Sequence, residues 1–234
     1  QFSMRSQTDA DRFLQLGVAN KKVLVTGNIK FDLTSEPEDT FRPQWKDGSM
    51  ILVFGSTRPG EEGPIMDALI RLQKEFPNLV GVIAPRHMER CREVEDLIRE
   101  FEVEYALLSK QGDLTNCSVL LLDSLGKLNA FYKSATVAYV GGGFNPRFGG
   151  HNILEPAALG KPVLFGKFMN NFEEEAKLLK QSEGGLQLQN IEELYDVLKR
   201  LLMNPDERQK LGHAAQETVK ANSGALLRNI ELIR

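Results

Sequence analysis

Val137–Leu164, with the sequence VAYVGGGFNPRFGGHNILEPAALGKPVL, decides the fold class of this chain. The apolar run Val137–Val140 predicts a strand, and it ends in three consecutive glycines. A helix is expected over Ile153–Leu159 and a second strand over Val163–Phe165. A strand, a glycine-rich loop, a helix and another strand in this order are typical of a βαβ unit.

The loop of this unit carries the features of a ligand site. Five glycines between Gly141 and Gly150 would let the backbone approach a bound group closely. Asn152 is placed to cap the following helix, whose free N–H groups suit a phosphate. Glu155, one turn later, can accept hydrogen bonds from the hydroxyls of a sugar or ribose. The stretch therefore indicates a nucleotide-sugar site, with a merely structural βαβ turn as the alternative.

The composition is that of a soluble globular protein. The chain has 234 residues, 41% of them hydrophobic, and a net charge of −3, which gives no argument for binding nucleic acid. The cysteines Cys91 and Cys117 and the three histidines have no metal-ligand spacing. No apolar run has the length of a membrane helix, and the first residues lack the apolar core of a signal peptide. The missing initiator Met predicts a fragment.

Regular alternation of apolar runs and amphipathic segments begins at Met50. Short strands that alternate with helices indicate an α/β, Rossmann-like parallel sheet with helices on both faces. We expect residues 1–48 to form an interdomain or linker segment with a short helix and strand, and residues 49–234 to form the Rossmann-like domain. The other predicted strands are Val23–Thr26, Ile51–Phe54, Leu79–Ala84, Tyr105–Leu108, Val119–Leu122 and Leu186–Leu188. The other predicted helices are Asp9–Leu16, Pro64–Phe76, Glu89–Phe101, Leu125–Lys133, Phe172–Gln181, Ile191–Met203, Asp206–Ala221 and Ala225–Ile233, and Asp32–Gly48 is predicted to be a linker.

Four loops follow strands at the carboxyl edge, where open parallel sheets bind their ligands. They are GSTRPGEE (Gly55–Glu62), PRHMER (Pro85–Arg90), DSLGK (Asp123–Lys127) and the glycine-rich loop. Each alone is typical of a solvated turn. Together they would place three arginines, a lysine and two free helix N-termini, one of them capped by Ser124, on a single rim. Such a cluster suits a phosphate, a carboxylate or both.

Several common sites are excluded by their missing motifs. The chain has no G-x-x-x-x-G-K-[ST] sequence, no G-x-G-x-x-G after the first strand and no G-x-S-x-G elbow. No Asp-x-Asp pair follows a strand, so metal dependence is not indicated. No cofactor is predicted.

These residues, in this order, resemble the C-terminal half of a Kdo (3-deoxy-D-manno-octulosonic acid) transferase, a glycosyltransferase of the two-domain GT-B type. The resemblance runs from about Asp9 almost to the end of the chain. It is carried by TGNIKFD (Thr26–Asp32), GSTRPGEE, PRHMER, DSLGKL, VAYVGGGFNPRFGGHNILEPAALGKPVLFG and FMNNFEE (Phe168–Glu174).

The resemblance implies that this half binds the donor CMP-Kdo. The whole enzyme would transfer Kdo to a lipid A precursor in lipopolysaccharide biosynthesis, with inversion and without a metal. An absent N-terminal half would bind the acceptor and supply a glutamate base, so no catalytic residue is assigned to this chain. The full-length protein would associate peripherally with the cytoplasmic face of the bacterial inner membrane. The fragment would be soluble, would bind CMP weakly and would be inactive alone.

The resemblance also implies the residues of the donor site. The phosphate would lie near Ser56, Thr57, Arg86 and the Ser124–Lys127 turn. Asn152 and Glu155 would hold the ribose, and His151 with the glycines would shape the floor. The predicted substrate-binding residues are Ser56, Thr57, Arg58, Pro85, Arg86, His87, Arg90, Ser124, Leu125, Gly126, Lys127, Gly142, Gly143, Gly149, Gly150, His151, Asn152 and Glu155.

Two departures from the family pattern leave the role of an acidic side chain near the phosphate and the donor preference open. Arg58-Pro59 stands where the family usually has His-Glu, and Leu125-Gly126-Lys127 stands where it usually has Met-Gly-Glu. The alternatives are a GT-B domain for a UDP- or GDP-sugar, a non-catalytic nucleotide-sugar-binding module and a sheet without a ligand.

Overall fold

The computed structural model describes residues 1–32, 41–110 and 117–233. The chain divides into two compact units, one of Gln1–Glu38 with Glu217–Arg234 and one of Asp39–Gln216. All of the predicted site residues lie in the second unit. The predicted division at residue 48 stays a prediction, and residues 33–40 of the predicted linker lie outside the described residues.

A seven-stranded parallel sheet forms the second unit and confirms the predicted fold class. Its strands are β3 (Met50–Thr57), β4 (Leu79–Pro85), β5 (Tyr105–Leu107), β6 (Val119–Leu121), β7 (Val137–Val140), β8 (Val163–Phe165) and β9 (Gly185–Gln187). Their spatial order is β5-β6-β4-β3-β7-β8-β9. The central strands β4 and β7 are buried along their whole length, as expected for a parallel sheet covered on both faces.

Helices with one apolar face cover this sheet. In the first of them, Ile65, Leu69 and Leu72 recur at helical spacing and are completely buried in the core. The helices of this unit are α2 (Glu62–Glu75), α3 (Cys91–Glu100), α4 (Leu128–Ser134), α5 (Leu154–Ala158), α6 (Glu173–Gln181), α7 (Leu194–Met203) and the greater part of α8 (Pro205–Asn222). Short 3₁₀ turns at Met88–Arg90, Leu108–Lys110, Asn170–Phe172 and Ile191–Glu193 precede or follow these elements.

The first unit contains a small parallel pair of strands. Strands β1 (Phe2–Met4) and β2 (Val23–Val25) are joined by α1 (Gln7–Gln15), and 3₁₀ turns lie at Asn20–Lys22 and Ile29–Phe31. The TGNIKFD segment binds the start of α9 (Ala225–Ile233). The Asp32 carboxylate accepts the backbone N–H of Leu226 at 2.7 Å, and the Arg228 guanidinium donates to the Thr26 carbonyl at 2.7 Å. The Asp32 carboxylate and the Thr26 carbonyl of this segment thus hold the first turn of α9.

The sequence patterns located most elements but misplaced several ends. Strand β1 was not predicted, because three residues with one polar side chain carry almost no periodic signal. Helix α2 begins two residues before Pro64, and α4 begins at Leu128, three residues after the predicted start. Among residues 1–32, 41–110 and 117–233, no helix combines the length and apolarity that are needed to cross a membrane.

Candidate functional site

The four polar loops leave one edge of the sheet from four adjacent strands. Strands β6, β4, β3 and β7 are neighbours and run parallel, so the loops after them emerge side by side. The prediction of a common rim is therefore confirmed by the strand order. The role of each rim residue in binding stays a prediction.

The loop after β3 begins with a kinked backbone at Ser56. Its φ of 55° is the left-handed conformation, and the pairing register shifts between Gly55 and Thr57. Thr57 is completely buried, and its hydroxyl donates to the Glu62 carboxylate at 2.8 Å. Of the two hydroxyls that the sequence assigns to the donor site, that of Thr57 is thus already bound within the fold.

Arg90 is held by carboxylates. Its guanidinium contacts both oxygens of the buried Glu62, at 2.6 and 3.2 Å, and also the Glu93 carboxylate at 2.9 Å. Burial by itself lowers the pKa of Arg90, but the bonds to Glu62 and Glu93 outweigh it and raise that pKa. The bidentate pair joins the starts of α2 and α3, so Arg90 is a structural cation.

The neighbouring acid Glu61 binds the glycine-rich loop. Its carboxylate accepts the backbone N–H of Gly142 at 2.9 and 3.1 Å and that of Arg58 at 3.0 Å. A Cβ on Gly141 would lie 2.5 Å from a Glu61 oxygen, and Gly142 has a φ of +82°. The glycines therefore let the carboxylate reach the loop backbone. Burial raises the pKa of Glu61 to about 7, against the lowering effect of the two backbone donors.

Arg58 and His151 form a pair across two loops. The Arg58 Nε–H donates to His151 Nε2 at 3.0 Å, and the guanidinium lies over the Phe148 ring, 4.5 Å from its centroid. His151 is therefore neutral, with its proton on Nδ1. Burial, followed by the charges of Arg58 and Arg86, lowers the pKa of His151 to about 4.

Two guanidiniums of the rim have no carboxylate partner in the described part of the chain. Arg58 binds the His151 ring through Nε, and Arg86, which is exposed, uses its backbone N–H to bond the Thr57 carbonyl at 3.0 Å. Burial and then the charge of Arg86 lower the pKa of Arg58, so the two cations lie near enough to repel each other. His87, beside Arg86, also lies near enough to His151 to affect its pKa. An anion between these groups would relieve the repulsion.

The turn after β6 differs from its prediction. Ser124 does not cap a helix, because α4 begins at Leu128, and Gly126 turns the backbone with a φ of +73°. Leu125 is 79% exposed at the tip of this turn. The Lys127 ammonium lies over the Phe41 ring, 5.5 Å from its centroid. The turn therefore lies on the rim but presents no capped helix N-terminus.

Asn152 and Glu155 form the predicted pair at the start of α5. The Asn152 side chain accepts the N–H of Leu154 at 3.1 Å and donates to the Glu155 carboxylate at 3.0 Å. The helix has five residues, one fewer at each end than predicted, and the residue at its N-cap position is Ile153. Glu155 is thus oriented by Asn152.

The FMNNFEE segment binds the glycine-rich loop through hydrogen bonds to carbonyl groups of the loop. The Asn171 side chain donates to the carbonyls of Phe148 and Gly150, and the Phe168 N–H donates to the Gly143 carbonyl at 2.8 Å. A Cβ on Gly143 would lie 2.7 Å from Gly166, so two backbones touch there. Close backbone packing explains part of the glycine content without a ligand. Gly149 and Gly150 have a positive φ, 67° and 75°, and Pro85 pairs with Thr57 at the end of β4.

No group of three or more potential metal ligands occurs within 1–32, 41–110 and 117–233.

The first 33 residues match the family model described as 3-Deoxy-D-manno-octulosonic-acid transferase (kdotransferase). Over 230 residues, 95% of this chain, the sequence is 34% identical to the 3-deoxy-D-manno-octulosonic acid transferase of Haemophilus influenzae. It is 31% identical over 231 residues, 96% of the chain, to the transferase of the same name from Chlamydia pneumoniae. The chain is homologous to the Kdo transferases. The predicted resemblance is confirmed, and these relatives are glycosyltransferases.

The chain spans about half the length of these Kdo transferase relatives, 54% and 52% of them respectively. Its fold matches the crystal structure of the C-terminal CMP-Kdo binding domain of WaaA from Acinetobacter baumannii with a TM-score of 0.71 and 28% identity. That match covers 74% of this chain and 91% of the other. The Rossmann-like fold of this chain is thus similar to that of the CMP-Kdo binding domain of WaaA.

Proposed function

We propose that this chain is the donor-binding part of a Kdo transferase and that it binds CMP-Kdo at the rim of β6, β4, β3 and β7. The observation that carries the proposal is the pair of guanidiniums that make no hydrogen bond to a carboxylate in the described residues, Arg58 and Arg86, beside the glycine-rich loop. The homologous Kdo transferases and the similar CMP-Kdo binding domain support the same assignment. The phosphate of the donor lies between the two guanidiniums, and Glu155 accepts from the ribose hydroxyls.

The chemistry asked of these residues is stabilisation of a leaving group. An acceptor hydroxyl oxygen forms a bond to the anomeric carbon, the bond from that carbon to the phosphate oxygen breaks, and CMP leaves with the electron pair. Fixed guanidiniums aimed at the phosphate stabilise the charge that develops there. The proton of the hydroxyl goes to a base that this chain does not supply. The acceptor is a lipid A precursor, met at the cytoplasmic face of the inner membrane, and no metal takes part.

Calorimetric titration of the purified chain with CMP, UMP and GMP tests this function. We expect CMP to bind most tightly, and we expect the chain alone to form no Kdo–lipid product from CMP-Kdo. Absence of CMP binding would contradict the proposal. Tighter binding of UMP or GMP would instead favour a domain for another nucleotide sugar.

A further inference from the structure

Glu61 lies at the meeting point of two site loops without facing the rim itself. It is 3% exposed and precedes α2, yet its side chain makes no capping hydrogen bond to that helix. Both of its oxygens bind backbone donors of other segments, Arg58 of the β3 loop and Gly142 of the glycine-rich loop. A buried acid that bridges two loops in this way fixes their relative positions.

The contacts of Glu61 belong to a closed ring of hydrogen bonds. Gly142 donates its N–H to Glu61, and its carbonyl accepts the N–H of Gly150 at 3.0 Å. His151 follows Gly150, and its Nε2 accepts the Arg58 Nε–H at 3.0 Å. The Arg58 backbone N–H returns to Glu61 at 3.0 Å. Two of the four links therefore end on one carboxylate, and a third orients a guanidinium.

We propose that Glu61 is a positioning residue for the donor anion, because its carboxylate closes the ring that fixes the Arg58 guanidinium at the rim. This inference rests on the proposed function of the same rim. Glu61 touches no donor atom, and it acts through Gly142, His151 and Arg58. A carboxylate suits this place since it only accepts hydrogen bonds, and the groups facing it from both loops are donors.

The positioning role of Glu61 can be tested by changing the charge of its carboxyl group. The titratable and charged groups around it are Glu62 of α2, Tyr139 of β7 and the Arg58 guanidinium. With a pKa of about 7, the carboxyl changes charge near neutral pH. When protonated, one of its oxygens carries a hydrogen and faces an N–H donor, and Glu61→Gln places an amide in the same position.

The experiment is titration of the 234-residue chain with CMP at about pH 5.5 and about pH 8.5, for wild type and Glu61→Gln. At the higher pH we expect the variant to bind CMP about tenfold more weakly, because a buried donor loses its acceptor. At the lower pH we expect the ratio of the two Kd values to fall to about two or less, since wild type then has the same defect. The titration of CMP itself is common to both proteins and cancels in the ratio.

Glu62→Gln is the matched control, because Glu62 is an adjacent buried acid outside the ring. We expect it to lose stability without weakening CMP binding, since it frees positive charge on Arg90. Glu61→Asp keeps the charge but is too short to reach both donors, so it should bind CMP weakly at both pH values. A Kd ratio for Glu61→Gln that stays constant with pH, or that equals one throughout, would overturn the inference.

A spectroscopic readout separates this inference from the proposed function. The Arg58 Nε–H should give a slowly exchanging NMR signal in the wild-type chain and lose it in Glu61→Gln, with or without CMP. If wild type binds no CMP, the proposed function fails, and an Arg58 signal that is unchanged in Glu61→Gln would then also overturn the role of Glu61. If wild type binds CMP and the signal is unchanged, only the inference fails.

Discussion

Arg86 and Arg90 leave the same loop four residues apart, yet their guanidiniums have opposite electrostatic surroundings. Arg90 is enclosed by Glu62 and Glu93, with 12% of its side chain exposed. Arg86 is exposed and adds its charge to that of Arg58. A charge count of the sequence treats the two arginines alike. An arginine that has no carboxylate partner in the described part of the fold, such as Arg86, is available to bind an anionic ligand. An arginine that is bound by carboxylates, such as Arg90, instead joins parts of the fold.

Removing Arg58 and Arg86, which make no bond to a carboxylate in the described residues, should have the largest effect. We expect Arg58→Ala combined with Arg86→Ala to weaken CMP binding by roughly 100-fold or more, because each charged hydrogen bond contributes about 1.5–3 kcal/mol. Calorimetric titration at fixed ionic strength measures the loss. Arg92→Ala, which removes an exposed arginine of α3, is the matched control and should change the Kd by no more than about twofold. An equal loss of CMP affinity in the double variant and in Arg92→Ala would mean that CMP responds only to the overall positive charge and not to specific contacts with Arg58 and Arg86.

Removing Arg90, which is enclosed by carboxylates, should lower the stability of the fold and leave CMP binding almost unchanged. Arg90→Ala leaves the buried Glu62 carboxylate without its cationic partner, so the free energy of unfolding should fall by about 3 kcal/mol. Chemical denaturation measures that change, and titration of the folded variant should give a CMP Kd within about threefold of wild type. A loss of CMP affinity as great as that of the double variant would break the distinction between the two kinds of arginine.

The ribose contact should have a smaller effect. We expect Glu155→Ala to weaken CMP binding about tenfold, since hydrogen bonds from ribose hydroxyls to a carboxylate are lost. The same substitution should barely alter the affinity for 2′,3′-dideoxy-CMP, which has no such hydroxyls. Equal losses for both nucleotides would show that Glu155 acts on the loop through Asn152 and does not contact the ribose.

The pH dependence of stability should show the smallest effect. His151 has a pKa of about 4 in the folded chain, so between about pH 4 and 6.5 the unfolded chain binds more protons and wild-type stability gains as the pH rises. Glu61, with a pKa of about 7, acts oppositely, because its ionisation favours the unfolded chain as the pH rises from about 4.5 to 7. The advantage of wild type over His151→Asn should therefore grow with pH across the first window.

Urea unfolding of both proteins at a series of pH values checks that expectation. Over the second window, the advantage of wild type over Glu61→Gln should shrink as the pH rises. A difference that is flat with pH for both variants would mean that neither group is perturbed by the fold.

Local patterns were sufficient for the sheet and for the position of the rim. The runs Val137–Val140 and Val163–Phe165 form strands with the predicted bounds, because continuous apolar residues between turns have little alternative in a buried parallel sheet. The carboxyl-edge rule then placed the four loops together.

The partners of charged side chains were not predictable from local sequence. The sequence places Glu61 and Glu62 in a polar loop of the rim and assigns them no partner, while their hydrogen-bond partners lie 81 residues away at Gly142 and 28 residues away at Arg90. The one feature of the sequence that could have indicated these buried contacts is the pair of adjacent acids directly before an apolar helix. Ser124 failed as a cap because Gly126 extends the turn and delays the helix to Leu128. Such pairings depend on tertiary packing and not on spacing.

The most direct test of the central claim is a crystal structure of the chain with CMP bound. We predict that the phosphate lies between the Arg58 and Arg86 guanidiniums, with oxygens at about 2.7–2.9 Å from their nitrogens, while Arg90 stays on Glu62. A phosphate bound at the Ser124–Lys127 turn without contact to Arg58 and Arg86, or one that draws Arg90 away from Glu62, would contradict the account.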